Sequence, residues 1–266
     1  MNKLKDKVAV VYGNGAIGGA IAKAFAREGA NVFLAGLTPA KLTAIADEIG
    51  SGGGMITTSV VDALDEEVVE QHMGDVIKKA GKVDISFNAI GVYQNDVGHI
   101  PLLELSAKGF SVPIAMYTQS HFITAKAAAS RMIKQRNGVI AMHTANLSRV
   151  SAPLAGGRGP AWAAMESLCR SFSVEWGEYG VRSVCLFTTA IPETPIIEEA
   201  FKELFEAQAK MQGITIEQFN GMVAGGTHRK RLTTLKELTD AAVFAVSDEG
   251  SAITGTVLNL TAGMIA

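Results

Sequence analysis

The chain has 266 residues and a formal net charge of -2, from 24 lysines and arginines against 26 aspartates and glutamates. A protein that coats nucleic-acid phosphates carries a basic surplus, so we expect no nucleic-acid partner. The hydrophobic fraction of 48% excludes a disordered chain, and two cysteines are too few for a disulfide scaffold or a cysteine metal cluster. Apolar runs are too short for a signal sequence or a membrane span, so we expect a cytoplasmic protein without a membrane partner.

Strand-type apolar runs and helical patterns alternate along the chain. We expect strands at 8–12, 31–35, 55–61, 83–87, 139–144, 181–187 and 256–260. We expect helices at 17–28, 39–49, 65–80, about 110–135, about 159–179 and 235–247. Fully apolar strands between helices are typical of a parallel sheet covered on both faces, which predicts a doubly wound α/β fold.

The chain shows no sign of a division into separate domains. It has no linker rich in proline, glycine or serine and no internal repeat, so we predict one domain over residues 1–266. The segment 195–227 is mostly helical in pattern and more polar than its flanks. We interpret it as an inserted lid over a substrate.

The first expected strand runs into a glycine-rich turn of the form G-x-G-x-x-G that opens the first helix. One glycine of such a turn allows the bend, another lets the backbone approach a pyrophosphate, and the last lets the helix pack on the strand. The helix N-terminus adds free N–H groups and a partial positive charge. The turn therefore predicts a dinucleotide site, with a plain glycine-rich turn as the alternative. Its residues are Gly13, Asn14, Gly15, Ile17 and Gly18.

The end of the second strand decides between NAD and NADP in such sites, because an acidic residue there binds the ribose 2′-hydroxyl. This chain has Leu37 and Thr38 at that place. No carboxylate repels a 2′-phosphate, which favours NADP, but no arginine is there to bind one. Both cofactors stay open, with a slight preference for NADP.

Further segments make the chain resemble the short-chain dehydrogenase/reductase family over essentially its whole length. They are the lead into the glycine turn at 4–10, Val61-Asp62, the stretch from 84 to 91, and the C-terminal pattern from 231 to 255. The resemblance implies a Rossmann fold with seven parallel strands in the order 3-2-1-4-5-6-7. It also implies an oxidoreductase that uses NAD or NADP on a small carbonyl or alcohol substrate.

The resemblance also implies contacts with the cofactor and between subunits. It places Asp62 near the adenine, Asn88 at the end of the fourth strand, and two residues near the nicotinamide. The residues placed beside the cofactor in this way are Asp62, Ala63, Asn88, Ile191 and Thr194. It implies homo-oligomers, tetramers or dimers, that pair the two long helices at about 110–135 and 159–179.

The family's catalytic positions carry other side chains here. Where the family has a proton-donating tyrosine and a lysine four residues later, this chain has Trp162 and Glu166. The family serine falls at Ala145, with Thr144 beside it, and the family asparagine falls at Tyr117. A shifted alignment does not restore the pair, because this helix and its flanks contain no lysine.

Other groups can carry the proton in place of the missing pair. Tyr117 and His121 lie one helical turn apart, and His143 shares a strand face with the family serine position. A relay of Tyr117 with His143 or His121, with Thr144 nearby, is one hypothesis; packing of these side chains is the alternative. A dinucleotide-binding protein without catalysis, acting as a sensor or an oligomer partner, is the second candidate function. The substrate stays open.

Overall fold

The computed structural model describes residues 2–91, 100–197 and 199–264. Its strands are β1 (Val8–Tyr12), β2 (Asn31–Gly36), β3 (Met55–Val60), β4 (Ile85–Asn88), β5 (Gly138–Ala145), β6 (Val181–Thr188) and β7 (Thr256–Leu260). They form one parallel sheet in the order β3-β2-β1-β4-β5-β6-β7. This topology confirms the predicted doubly wound α/β fold and the strand order that the resemblance implied.

Helices cover both faces of the sheet. They are α1 (Ala16–Arg27), α2 (Pro39–Ser51), α3 (Glu66–Ala80), α4 (Ala107–Gln135), α5 (Arg158–Trp176), α6 (Thr194–Ile197), α7 (Glu199–Met211), α8 (Ile216–Gly225) and α9 (Leu235–Val246). One hydrophobic core lies between the sheet and α1, α2 and α9, and a second lies between the sheet and α3, α4 and α5. Because helices cover both faces of the sheet, the carboxyl ends of the strands remain accessible to a ligand.

Strand β3 departs from the fully apolar pattern that we expected of every strand. It pairs with β2 on one side, at the edge of the sheet, and its sequence MITTSV is half polar. Met55 and Val60 at its two ends are 56% and 60% exposed. An edge strand buries less of each side chain than a central one, so polar residues are tolerated there.

Helix α4 begins three residues before the expected position of about 110. The side chain of Ser106 accepts a hydrogen bond from the backbone N–H of Gly109, 3.0 Å away, and so caps the helix. Pro113 lies inside this helix, where it has no N–H to donate to the carbonyl of Gly109. The part of α4 that was not expected is its first turn, Ala107-Lys108-Gly109, which has no large apolar residue.

The segment predicted as a helical insertion folds into α6, α7 and α8. Phe205, Ala209 and Phe219 form a small core of their own, separate from the two cores on the sheet. In the part of the chain that the structure describes, no helix is both long enough and apolar enough to cross a membrane.

Candidate active site

A cavity of about 750 Å³ opens at the carboxyl ends of the parallel strands. Its wall includes the glycine turn after β1, the end of β2, the end of β5 and the segment after β6. In open parallel sheets, ligands bind in the crevice outside the carboxyl ends of the strands, where the strand order reverses. The cavity lies at that position, because β1 has β2 on one side and β4 on the other.

The glycine turn has the close backbone approach that its sequence predicted. Gly13 has φ +106°, and a Cβ built on it would lie 2.6 Å from the carbonyl oxygen of Ala89. A Cβ built on Gly18 would lie 1.8 Å from the carbonyl oxygen of Gly13. Gly13, Asn14, Gly15 and Ile17 line the cavity, whereas Gly18 is buried beneath the turn and is outside the cavity wall.

The start of α1 has the character of an anion site. Gly15 is the N-cap residue, so no side chain caps the helix, and the first turn carries no acidic residue. The first hydrogen bond of the helix runs from the N–H of Gly19 to the carbonyl of Gly15, 2.8 Å away. The N–H groups that precede Gly19 have no acceptor within the helix, and they favour a negatively charged ligand.

Asn14 connects the glycine turn to the segment after β2. Its Nδ2 donates to the carbonyl oxygen of Thr38 at 2.8 Å, and its side chain lies against Gly36, where a Cβ would come within 2.4 Å of Oδ1. Thr38 is the N-cap residue of α2, although its side chain makes no capping hydrogen bond. Leu37 and Lys41 line the cavity next to this segment. Lys41 was missed in the sequence because it lies on α2 rather than in the strand end.

The residues predicted near the adenine and at the end of β4 differ in their placement. Asp62 and Ala63 line the cavity, and Oδ1 of Asp62 accepts a hydrogen bond from the N–H of Leu64. Asn88 is buried and does not line the cavity. Its Nδ2 donates a hydrogen bond to Oγ1 of Thr124 on α4, 2.9 Å away. Asn88 therefore joins β4 to α4 and shapes the cavity through the following residue, Ala89.

The two neighbouring candidates at the end of β5 point to opposite faces of the sheet. His143 lines the cavity, together with Ala145, the family serine position. Thr144, the residue between His143 and Ala145, is completely buried. Its hydroxyl is hydrogen-bonded to the thiol of Cys185, with 3.1 Å between Oγ1 and Sγ. Successive side chains of a strand point to opposite faces of the sheet, so Thr144 points away from the cavity that His143 lines. Thr144 is not placed to act on a bound ligand.

His143 contacts Thr188 at the end of β6, with 2.9 Å between Nε2 and Oγ1. Both side chains line the cavity. Burial lowers the pKa of His143 to about 4, so its imidazole is neutral at pH 7. A neutral imidazole has one donor and one acceptor nitrogen, so the His143–Thr188 pair can pass a proton in either direction.

Tyr117 on α4 lines the same cavity as His143 and stacks edge-on against Trp162, with ring centroids 6.2 Å apart. His121 is buried outside the cavity wall, and its Nδ1 donates to the carbonyl of Tyr117 at 2.8 Å. The structure therefore places Tyr117 and His143 in the wall of one cavity, and it leaves His121 as a buried residue of α4.

Ile191 and Thr194, predicted near the nicotinamide, line the cavity on the segment after β6. Both are buried, and Oγ1 of Thr194 donates to the carbonyl of Ile191 at 2.8 Å. That bond fixes the turn into α6. Each of these placements agrees with a cofactor contact, which stays a prediction.

Comparisons with known proteins agree on one family. A family model described as enoyl-(acyl carrier protein) reductase matches residues 11–265. The uncharacterized oxidoreductase YxbG of Bacillus subtilis is 28% identical over 100% of this chain and 93% of its own length. The short chain aldehyde dehydrogenase 1 of Euphorbia lathyris is 28% identical over 97% of this chain and 87% of its own length.

The chain belongs to the short-chain dehydrogenase/reductase family. It is an oxidoreductase of a family that generally uses NAD(P). A solved structure of sorbitol-6-phosphate 2-dehydrogenase SrlD from Erwinia amylovora has the same fold, with a TM-score of 0.88 and 23% identity. It covers 97% of this chain and 99% of its own.

The two altered catalytic positions of this dehydrogenase/reductase have different surroundings. Trp162 lines the cavity, whereas Glu166 is buried outside its wall. Glu166 accepts hydrogen bonds from the hydroxyl of Ser148 and from Nη2 of Arg149, the latter at 2.9 Å. Glu166 thus holds the short helical turn after β5, and its oxygens are already engaged. It is not free to bind ribose hydroxyls in the way that the position of the family lysine suggests.

Besides Lys41, sequence reasoning missed the charged wall residues Glu203 and Arg158. Arg158, the first residue of α5, lines the cavity beside Tyr117 and Trp162. The sequence feature that could have revealed Arg158 is the stretch Gly156-Gly157-Arg158-Gly159-Pro160. In it, the arginine lies between glycines, which permit a close approach of the backbone to its neighbours.

Proposed function

We propose that this family member transfers hydride between NAD(P)(H) and a carbonyl or alcohol substrate without the family's tyrosine–lysine pair. The observation that supports this most is that one cavity joins the glycine turn to Tyr117, His143 and the segment after β6. Bound NAD(P)H supplies the hydride. The open helix N-terminus binds its phosphates, and the apolar wall around Trp162 excludes water from the reacting carbonyl.

We propose the cytoplasm as the location of this reaction. Cys169 and Cys185 are both free thiols and both buried. Unpaired cysteines of this kind are typical of proteins from a reducing compartment.

We propose a preference for NADP(H), supported by the end of β2. Leu37 is 64% exposed there, and Lys41 lines the cavity one helical turn later. A lysine near the ribose attracts a 2′-phosphate, and no acidic residue follows β2 to repel it.

Changing Leu37 tests this preference. We expect Leu37→Arg to lower the Kd for NADPH about tenfold and to leave the Kd for NADH unchanged, because a charge-assisted hydrogen bond contributes about 1.5–3 kcal/mol. We expect Leu37→Asp to weaken NADPH selectively. Fluorescence titration measures both constants, and Leu103→Asp, exposed but outside the cavity wall, is the control. Equal Kd changes for the two cofactors would contradict the preference.

We propose Tyr117 as the proton donor to the carbonyl oxygen, with the His143–Thr188 pair as the route by which the proton is replaced. Tyr117 is the tyrosine of the cavity wall nearest the family's catalytic helix, since it stacks on Trp162 of α5. His143 remains neutral at working pH and can both accept and donate.

Single substitutions test these roles. We expect Tyr117→Phe to lower kcat about 10²-fold, the low end for a positioned general acid, and His143→Asn to lower it less, with the Kd for NADPH unchanged in both. Tyr179→Phe, which lies outside the cavity wall, is the matched control. The assay is NADPH oxidation with a panel of aldehydes and ketones. Full kcat in both variants would exclude this donor, and NADPH binding without any turnover would favour the sensor or oligomer partner instead.

We propose a homo-oligomer, a tetramer or a dimer, that pairs α4 and α5. Phe122 on α4 and Val174 on α5 are 45% and 86% exposed, so each helix offers an apolar side chain for such a contact. We expect light scattering to give a multiple of 27.9 kDa and Val174→Asp to shift the mass towards the monomer. The control is again Leu103→Asp. A sharp monomer peak for the unmodified protein at micromolar concentration would contradict the proposal.

A further inference from the structure

Arg158 is a cation built into the wall of the cavity. It is the first residue of α5, and Trp162 follows it by one helical turn on the same face. Both side chains line the cavity with Tyr117 of the neighbouring helix α4, and the guanidinium is close enough to Tyr117 to attract its oxygen. Burial lowers the pKa of Arg158 from its usual range, because the charge has lost much of its hydration.

The guanidinium of Arg158 is held from one side only. Its Nε donates to the carbonyl of Ala155 at 3.2 Å, and its Nη2 donates to the carbonyl of Leu154 at 3.0 Å. Nη1 makes no hydrogen bond to any residue that the structure describes, and none of those residues places a carboxylate within 4.0 Å of the guanidinium. The positive charge is therefore oriented by two neutral acceptors and is not neutralised.

The backbone around Arg158 is arranged to hold it there. Leu154 has φ +60°, a left-handed conformation that a leucine rarely adopts. A Cβ on Gly157 would lie 1.9 Å from the carbonyl oxygen of Phe110, and a Cβ on Gly159 would lie 2.8 Å from that of Leu147. The two glycines let the chain pass between α4 and the turn after β5, with Arg158 between them.

The cavity that Arg158 faces has a wall of mixed character, with Glu203 and Gln208 beside several large apolar side chains. Trp162, Phe219, Met222 and Met264 contribute to its wall. A partly buried cation without an anionic partner has lost hydration, and an arginine fork recovers that loss best with a planar, bidentate carboxylate. One carboxylate also matches one guanidinium in charge, whereas a phosphate dianion would leave one negative charge unmatched.

We propose that Arg158 binds a carboxylate of the substrate, so that the substrate is an oxo acid or hydroxy acid with a bulky apolar part. The inference rests on the proposed function for the reacting carbonyl, but the carboxylate contact can be measured by binding alone.

The experiment compares two charged probes with their neutral isosteres. Phenylglyoxylate and 4-oxo-4-phenylbutanoate are titrated by calorimetry into the full-length protein saturated with NADP⁺, beside the corresponding amides. We expect at least one acid to bind tenfold or more tightly than its amide. Because calorimetry needs no turnover, a failure of hydride transfer and a failure of carboxylate binding are separate results.

Substitutions of Arg158 then assign the contact. We expect Arg158→Gln to remove the preference for acid over amide, Arg158→Lys to keep part of it, and both to leave the Kd for NADPH unchanged. Arg170→Gln, the same change at an exposed position of α5 outside the cavity wall, is expected to keep the full preference. Circular dichroism and the thermal midpoint verify that each variant is folded.

Four outcomes would overturn the proposal. The first is that neither acid binds more tightly than its amide. The second is a preference for the acid that survives Arg158→Gln. The third is an equal loss of acid and amide binding in a folded Arg158→Gln protein, which would assign Arg158 a structural role. Tighter binding of phenyl phosphate than of either acid would also contradict a carboxylate site.

Discussion

Replacing Gly18 by alanine is expected to abolish NADPH binding and to lower the free energy of unfolding by about 3 kcal/mol, the upper part of the usual range for single substitutions. The added Cβ would lie 1.8 Å from the carbonyl oxygen of Gly13, which is backbone and cannot rotate away. The turn must therefore open, and the N–H groups at the start of α1 lose the arrangement that binds a pyrophosphate. Thermal unfolding with and without millimolar NADPH measures both effects.

The matched control for Gly18 is Gly74→Ala on α3. A Cβ on Gly74 meets no atom within 4 Å, so we expect this variant to bind NADPH normally and to gain about 0.5–1 kcal/mol from the better helix former. A Gly18→Ala protein with unchanged stability and unchanged NADPH affinity would show that the turn does not have this close contact. A Gly18→Asp variant is less informative, since its Cβ alone already disrupts the turn.

The free energy of unfolding is expected to fall steeply as the pH drops from 6.5 to 5. Burial lowers the pKa of His72, His121 and His143 to about 4 in the native protein, whereas a histidine in the unfolded chain has a pKa of about 6.5. The unfolded chain therefore binds more protons in this interval, and each group contributes up to about 1.4 kcal/mol per pH unit. The stability is fully present above pH 6.5 and decreases down to about pH 4, where the native protein also takes up protons.

Urea unfolding at a series of pH values checks this expectation. Measurements between pH 6.5 and 5 lie above the usual range of carboxyl groups, so the slope reports mainly the histidines. We expect His72→Gln to reduce the slope by about a third, because two of the three buried histidines remain. A free energy of unfolding that is constant over this interval would disprove the prediction that buried neutral histidines make the stability depend on pH.

The fold was predictable because strand and helix signals are local. Apolar runs such as Val8–Tyr12 match the observed strand, since a central parallel strand needs apolar residues on both faces. The start of α4 was misplaced because the first turn after its capping residue Ser106, Ala107-Lys108-Gly109, has no large apolar residue to mark it. The edge position of β3 depends on distant pairing, which local sequence patterns do not encode.

The site was predictable only where a residue type at a given position has a single structural explanation. Glycines that allow close backbone approach identified the glycine turn as a cofactor site. The alternation of side chains along a strand would have excluded Thr144 once His143 was placed in the cavity. The partners of Glu166 could not be predicted, because a turn brings Ser148 and Arg149 back to α5. Arg158 was missed for a similar reason: its role depends on neighbours contributed by other elements.

The small separate core of α6, α7 and α8 suggests how substrate gains access to the cavity. Phe205, Ala209 and Phe219 are its buried members among the side chains that the structure describes, and they form a cluster separate from the two cores on the sheet. We expect their amide hydrogens to exchange with deuterium through local opening, while those of β4 and β5 exchange only when the whole protein unfolds. Release of product then becomes a breathing motion of one subunit segment, and its frequency sets an upper limit on turnover.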